Sequence, residues 1–213
     1  ETRNPRNLSY TPGGSSSGSA ASVAAGFCDI AIGTQTSGSV IRPAGYCGTI
    51  GYKPSFGRIS RDGVLLFSNS MDHIGICAKD LNLLEKALPL LVNSWSFRKP
   101  KINRNIFVGV PVGSYLNLSK PPVLHQFFNT VQVLNAKFHV SKFELVKNIK
   151  RYNRKIDEIS SAELYKVHSV WFQRYKELYG PTVRKTIEAG KKISPEDFTS
   201  LTNRSRKDRK LLQ

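Results

Sequence analysis

Apolar and polar positions along the chain change between helical spacing and the short apolar runs that are typical of buried strands. Helical spacing predicts helices over residues 15–25, 80–92, 121–136 and 155–179, and a final polar helix that Pro195 opens. Short apolar runs predict buried strands over residues 27–35, 105–111 and 138–145. Because strands and helices follow one another, we expect an α/β fold with a mainly parallel sheet.

Turn and cap residues predict where several of these elements end. Asp80 is suited to cap the helix over residues 80–92, and Pro89 predicts that this helix kinks or ends there. The stretch 46–60 is rich in glycine and proline, which indicates turns joined by brief extended pieces. The basic stretch 98–104 predicts a connection between the two parts of the chain.

The formal net charge of the chain is +17, and the positive charge is concentrated in its second part. Residues 1–95 contain 8 Lys/Arg against 6 Asp/Glu, and residues 96–213 contain 24 against 9. Such asymmetry can mark a nucleic-acid surface, but the basic part lacks the stacked aromatics and glycines of a known RNA module. We therefore favour a solvated basic face and keep nucleic-acid binding as the alternative.

Composition excludes several classes of protein. Hydrophobic residues make up 39% of the chain, which is enough for a buried core, and no apolar run is long enough to span a membrane. Neither an initiator Met nor a signal pattern opens the chain, so we expect an internal part of a longer protein. The spacing of the three cysteines and four histidines fits no metal site, and an odd cysteine count favours a reducing compartment, hence the cytoplasm.

Two segments of the chain are both rich in serine, glycine and other small residues. Residues 11–26 read TPGGSSSGSAASVAAG, and residues 33–48 read GTQTSGSVIRPAGYCG. A Gly/Ser tract alone is typical of a flexible linker, but the second segment follows a predicted strand, where α/β folds place ligands. A serine that attacks a carbonyl needs a base and backbone N–H groups for the oxyanion, and small residues let those groups approach. We interpret the two segments as two walls of one site.

These segments, with KPSFGRIS and SNSMDHIG behind them, resemble the amidase signature family over roughly residues 4–92. The stretch 175–194 is similar to a helical region of many family members. The resemblance implies a three-layer α/β/α fold with a mixed, mainly parallel central sheet, and amide hydrolysis by a Ser–cis-Ser–Lys triad without a cofactor. It also implies that residues 1–213 are the internal portion of one such domain, with a signature core over 1–95 and a basic, helix-rich portion over 96–213.

The resemblance implies roles for particular residues in both segments. Ser39 matches the nucleophile, and Ser15 matches the bridging serine, with a cis peptide bond between Gly14 and Ser15. Ser16 is a candidate for supporting hydrogen bonds. The implied oxyanion hole consists of the backbone N–H groups of Thr36, Ser37, Gly38 and Ser39.

The family's lysine matches no residue of this chain. It lies far upstream of the bridging serine, and only 14 residues precede Ser15. Lys53 belongs to the downstream KPS segment, so we interpret it as structural. We therefore expect a fragment that is inactive by itself.

Four further side chains have competing interpretations. A rival triad of Ser39, His73 and Asp72 is disfavoured because adjacent residues point in different directions, and Asp72 is expected to tie down a loop. Arg42 either pairs within the protein, which we favour, or binds a substrate carboxylate. Cys47 is expected to be a small buried residue.

The branch of the family stays open. GSVIRPA places Arg42 at the third position after Gly-Ser, as in small-molecule amidases, whereas the A subunit of glutamyl-tRNA amidotransferases usually has GSIRQPA. We therefore favour a free-standing amidase that acts on a small-molecule amide and has no membrane or nucleic-acid partner; a homodimer is compatible with this interpretation, and the oligomeric state stays open. The alternatives are that amidotransferase component, releasing ammonia from glutamine for a tRNA substrate, and a catalytically dead interaction or RNA-binding protein.

Overall fold

The computed structural model describes residues 1–93, 95–96 and 106–211. By the proximity of its Cα atoms, the chain divides into two compact units. The first unit comprises Glu1–Phe97 and Glu158–Gln213, and the second unit is Arg98–Asp157. The expected single domain, with a signature core over residues 1–95 and a basic portion over 96–213, stays a prediction.

Helices and strands follow one another along both units. Within the described ranges the α-helices are α1 (Ser17–Ala24), α2 (Ile41–Cys47), α3 (Leu81–Leu91), α4 (Pro121–Asn135), α5 (Ile149–Arg174), α6 (Pro181–Lys191) and α7 (Pro195–Leu211). The strands are β1 (Ile30–Gln35), β2 (Ile50–Tyr52), β3 (His73–Ala78), β4 (Phe107–Val112) and β5 (His139–Glu144). Short 3₁₀ helices cover Gly113–Leu118 and Lys176–Leu178.

The first unit contains a three-stranded sheet in which β3 is the central strand, in the order β1-β3-β2. Both neighbours run antiparallel to β3, with Ile30 opposite Ala78 on one side and Tyr52 opposite Ile76 on the other. β1 and β2 therefore run in the same direction. The connection between them through α2 is a parallel crossover into which the later strand β3 is inserted.

The predicted α/β class is confirmed, but the strand directions of this sheet differ from the mainly parallel sheet that we expected. An alternation of strands and helices predicts that β1 and β2 lie next to each other in the sheet. In the structure, β3 lies between them. β3 was not predicted, because its apolar run is short and Gly75, a residue that is rare within strands, interrupts it. All residues from Ile74 to Ala78 are buried.

The second unit agrees with the predicted parallel arrangement. β4 and β5 pair in parallel, from Phe107 opposite His139 to Val112 opposite Glu144. α4 connects them and begins with Pro121, whose missing N–H would have no partner in the first turn of a helix. The predicted strands and the predicted helix of this unit are thereby confirmed. The predicted connection over residues 98–104 lies outside the described residues.

Two other predicted helices differ from the structure mainly at their ends. Asp80 caps α3 as expected, and its Oδ1 accepts the Leu83 N–H at 2.9 Å. Pro89 lies inside α3, two residues before the helix ends at Leu91. The helix predicted over residues 155–179 begins earlier and ends earlier, as α5, and the Lys176–Leu178 turn follows it.

The core of the first unit has helices on both faces of the three-stranded sheet, which makes three layers. Side chains of α3 pack on one face, in a cluster with Ile59, Ile74, Ile76, Ala78, Leu84, Leu88 and Val92. Side chains of α1 and α2 pack on the opposite face, in a cluster with Ala20, Val23, Val40, Ala44, Cys47 and Cys77. The loops that precede α1 and α2 are therefore held by the same layer.

α5 and α6 approach each other closely in the first unit. Gly190 of α6 is buried, and a Cβ at this position would overlap the Ser161 carbonyl group of α5. Leu164 and Phe172 of α5 pack with Ile187 of α6 in the same region. The absence of a side chain at position 190 therefore sets the distance between the two helices.

We predict that Gly190→Ala destabilises the protein, because the added methyl group must push the backbone of α5 away. Overpacking of this kind costs about 1–3 kcal/mol of unfolding free energy, which denaturant unfolding of the complete protein would measure. Gly180→Ala is the matched control, since a Cβ at Gly180 meets open space. Equal unfolding midpoints for the two variants would contradict the close packing.

Candidate active site

The first Ser/Gly segment forms a tight turn that leads into α1. Its Gly14–Ser15 peptide bond is cis, as the resemblance implies. Gly13 has φ +78°, a left-handed conformation that favours glycine. Ser17 Oγ donates a hydrogen bond to the Gly13 carbonyl at 2.6 Å, and the Ser15 side chain is exposed. The turn presents Ser15 to the surface directly before the helix.

The second segment is a loop between β1 and α2 that Gln35 folds back on itself. The Gln35 side chain is 3% exposed, and its Oε1 accepts the N–H groups of Val40 at 2.8 Å and Ile41 at 3.0 Å. Within the described part of the chain, the next N–H groups towards β1, those of Ser37, Gly38 and Ser39, make no hydrogen bond. The N–H groups that follow them on this loop, those of Val40 and Ile41, are already bonded.

Ser16 joins the two segments. Its N–H donates to the Ser39 carbonyl at 3.0 Å, and its Oγ bonds both the N–H and the carbonyl of Thr34 at 3.2 Å. Gly33 makes this approach possible, because a Cβ there would lie 2.6 Å from Ser16 Oγ. The Ser/Gly tract is therefore an ordered wall against β1, and not a flexible linker.

Arg42 adds a second connection between the segments. Its Nε donates to the Gly14 carbonyl at 3.0 Å, next to the cis bond, although the side chain is exposed. Ser37, Gly38, Ile41 and Arg42 line a shallow cavity of about 430 Å³. The guanidinium thus contacts protein backbone on one side and borders this cavity on the other.

Asp72 ties the β1–α2 loop to the loop before β3. Its Oδ1 accepts the hydroxyl of Thr36 at 2.6 Å, and its Oδ2 accepts the N–H groups of Phe67 at 2.7 Å and Ser68 at 2.9 Å. With the side chain only 5% exposed, the carboxylate is fully engaged in holding these loops. The structural role expected of Asp72 is therefore observed.

His73 does not form the rival triad. Its Nδ1 lies 2.6 Å from the Met71 carbonyl, so that the Asp72 carboxylate does not orient the ring. Burial lowers the pKa of His73, and the positive charge of Lys53 acts in the same direction. The ring is therefore held at its own loop and favours the neutral form.

Lys53 and Cys47 occupy structural positions. Lys53 Nζ donates to the Pro54 carbonyl at 2.7 Å, and burial lowers the pKa of its ammonium group. Cys47 is fully buried, and burial raises the pKa of its thiol. Burial also raises the pKa of Cys77 to about 11. Thiols in such surroundings are poor nucleophiles, which agrees with the structural role expected of Cys47.

Two buried polar side chains near these loops were missed by the sequence analysis. Glu163 of α5 is 8% exposed and bonds the loop before β3, and Gln35 shapes the β1–α2 loop. A signal for Glu163 exists, since it follows Ile159 at helical spacing and so falls on the apolar face of a predicted helix. Gln35 ends an apolar run, and nothing in the pattern marks its side chain as an acceptor.

No helix in the described ranges has both the length and the apolar character that a membrane crossing requires. Among the same residues, no group of three or more His, Cys, Asp or Glu side chains has the arrangement of a metal site.

Sequence comparisons connect this chain to amide-cleaving proteins. The sequence model of the family described as Amidase matches residues 1–213. The A subunit of the glutamyl-tRNA(Gln) amidotransferase from Lachnospira eligens is 28% identical over 222 aligned residues, covering 89% of this chain and 46% of that protein. The mitochondrial protein of the same description from Yarrowia lipolytica is 56% identical over 82 residues, covering 38% of this chain and 18% of that protein.

Structural comparison agrees with the sequence comparisons. A solved structure described as a crystal structure of amidase superposes with a TM-score of 0.87 at 28% sequence identity. The superposition covers 94% of this chain and 46% of that chain. The chain therefore spans about half the length of the curated relative and of the solved structure that it matches over most of its residues.

Proposed function

The chain belongs to the amidase family, and we propose that the protein hydrolyses a carboxylic amide C–N bond through an acyl-enzyme at Ser39. The observation that carries this proposal is the hydrogen bond from the Ser16 N–H to the Ser39 carbonyl at 3.0 Å. This bond holds the segment with Ser15 against the loop with Ser39. The Gln35 acceptor supports the proposal further, because it leaves the N–H groups of that loop for a substrate oxygen.

In the proposed reaction, Ser39 Oγ attacks the amide carbonyl carbon while its proton passes to Ser15 Oγ and on to a base. The carbonyl oxygen becomes an oxyanion, which backbone donors stabilise in the transition state. The C–N bond then breaks, and the nitrogen leaves with the proton that the base returns. Water, deprotonated by the same relay, cleaves the ester and releases the acid. The proposed oxyanion donors are the N–H groups of Thr36, Ser37, Gly38 and Ser39.

The base of this relay is assigned by the family resemblance to a lysine that matches no residue of this chain. Lys53 is engaged with the Pro54 carbonyl, and His73 with the Met71 carbonyl. We therefore propose that the 213 residues by themselves do not turn over amides, and that a lysine from elsewhere in the complete protein is required.

We predict that residues 1–213 expressed alone release no product above buffer, because a neutral serine pair without its base is a weak nucleophile. The complete protein is the positive control in the same amide-hydrolysis assay. Turnover by the isolated 213 residues that disappears in Ser39→Ala would contradict the assignment of the base.

A second candidate function is supported by the names of the curated relatives. Both relatives described above are A subunits of glutamyl-tRNA(Gln) amidotransferases, which favours a protein that works with further subunits and releases ammonia from glutamine. The free-standing amidase is supported by Arg42 at the third position after Gly-Ser. The chemistry at Ser39 is the same in both, so ammonia release from glutamine, compared with release from small amides, separates them.

We further propose that the protein works in a reducing compartment and without a cofactor. The three cysteines, Cys28, Cys47 and Cys77, are free thiols, which supports a reducing compartment such as the cytoplasm. The proposed relay uses serine hydroxyls and backbone N–H groups, and it requires no cofactor. A homodimer is compatible with the proposed enzyme. The catalytically dead interaction or RNA-binding protein is the remaining alternative, which the Ser39 test addresses.

We predict that Ser39→Ala lowers kcat of the complete protein by about three orders of magnitude or more, because the acyl-enzyme cannot form. A fluorophosphonate should label the wild-type protein at Ser39 and leave Ser15 unlabelled, as mass spectrometry would show. Ser22→Ala, in the same tract but outside the site, should keep both turnover and labelling. Retention of more than about a tenth of the activity in Ser39→Ala would exclude Ser39 as the nucleophile.

For Arg42, we predict a positioning role towards Gly14. Arg42→Ala should lower the melting temperature and reduce turnover of acidic and neutral amides by similar factors, because the hydrogen bond to the Gly14 carbonyl is lost. Arg58→Ala removes an exposed arginine from the same unit and serves as the control. A selective rise in KM for acidic amides, equivalent to about 1.5–3 kcal/mol, would instead support a substrate carboxylate partner.

A further inference from the structure

A buried carboxylate outside the two Ser/Gly segments holds the loop that precedes β3. Glu163 of α5 is 8% exposed, and its Oε2 accepts the N–H of Ser70 at 3.1 Å and the Ser70 hydroxyl at 3.0 Å. The same oxygen accepts the hydroxyl of Ser68, whose side chain is fully buried. Three neutral donors from one short loop therefore converge on one oxygen of this carboxylate.

The loop that Glu163 holds leads directly to Thr36. The N–H of Ser68 donates to Asp72 Oδ2 at 2.9 Å, and Asp72 Oδ1 accepts the Thr36 hydroxyl at 2.6 Å. Thr36 is the first residue of the proposed oxyanion loop. A continuous series of hydrogen bonds thus runs from α5 through Ser68 and Asp72 to the donors of the proposed site.

Close packing fixes the α5 end of this series. Gly190 of α6 packs against the backbone of Ser161, which is two residues before Glu163. The contact is so close that no side chain fits at position 190. Leu164, the residue after Glu163, is 2% exposed and packs with Ile187 of α6. The α5 backbone on both sides of Glu163 is therefore held against α6.

A carboxylate is suited to this position because it only accepts hydrogen bonds. Glutamine has nearly the same shape, and its amide oxygen can accept the same three donors, but it lacks the negative charge that strengthens each of these hydrogen bonds. The loop would therefore be held less firmly and could shift relative to α5.

We propose that Glu163 is a positioning residue for the oxyanion loop and acts through Ser68 and Asp72 on Thr36. The inference rests on the proposed function, since it concerns the donors that would stabilise the oxyanion at Ser39. A displacement of those donors by a fraction of an ångström weakens transition-state binding more than substrate binding. The effect should therefore fall on kcat and leave KM nearly unchanged.

The main test is Glu163→Gln in the complete protein, measured by steady-state kinetics and by the rate of fluorophosphonate labelling at Ser39. We expect kcat and the labelling rate to fall about tenfold or more, with KM within about twofold of wild type. Glu158→Gln removes a carboxylate from the same helix and should keep wild-type kinetics. Leu164→Ala destabilises the adjacent core position and shows what lost stability alone does.

A double-mutant cycle with Thr36→Val tests whether the effect travels through the hydrogen bonds. Thr36→Val removes the hydroxyl that Asp72 holds, so Glu163→Gln should add little to the loss of kcat in that background. Full additivity, or an equal fall of kcat in Glu163→Gln and an equally destabilised Leu164→Ala, would overturn the inference. If Glu163→Gln does not fold, Ser70→Ala, which removes one of the three donors, replaces it in the cycle.

Failure of this inference is distinguishable from failure of the proposed function. Loss of activity in Ser39→Ala together with wild-type kcat in Glu163→Gln would overturn the role of Glu163 alone. Full activity in Ser39→Ala would overturn the proposed function, and with it the role of the oxyanion loop.

Discussion

The hydrogen bond between the Ser16 N–H and the Ser39 carbonyl is the constraint on which the rest of the site depends. It requires the loop before α1 and the loop before α2 to meet beside the end of β1, where Ser16 also bonds Thr34. The approach is possible only because Gly33 has no side chain where Ser16 sits. The three-layer packing of α1 and α2 on one sheet face then holds both loops. The small residues of these segments thus allow the two backbones to approach each other closely, and they do not form a flexible linker.

The sequence predicts the part of the site that consists of the two segments of small residues. The pairing of the two segments follows from a local pattern of serine and glycine, and the cis bond before Ser15 is implied by the family resemblance that this pattern carries. Gln35, Asp72 and Glu163 are different, because each acts through hydrogen bonds to residues that are distant in sequence or on another element. The sequence showed that Asp72 ties a loop but could not identify its partner. Hydrophobic periodicity predicts which side chains are buried, but it does not predict which hydrogen-bond donors a buried oxygen accepts.

The errors in the predicted fold concern two short elements of the first unit. β3 was missed because Gly75 interrupts its short apolar run, and the antiparallel sheet follows from the insertion of β3 between β1 and β2. α2 was missed because Pro43 and Gly45 suggest a loop, although a proline in the first turn of a helix removes an N–H that has no intrahelical acceptor. In contrast, α3 and α4 have strong helical spacing, and their existence was predicted correctly.

Buried acceptors therefore divide the donors of the β1–α2 loop into two groups. Gln35 occupies the N–H groups of Val40 and Ile41, and Asp72 occupies the hydroxyl of Thr36. The N–H groups between them, from Ser37 to Ser39, make no hydrogen bond within the described part of the chain. The proposed oxyanion site needs this division, because donors that are free to rotate towards protein acceptors would have to be reoriented during the reaction. In the proposed reaction, the polar side chains under the loop thus determine which N–H groups face the substrate, and the chemistry is assigned to the serines.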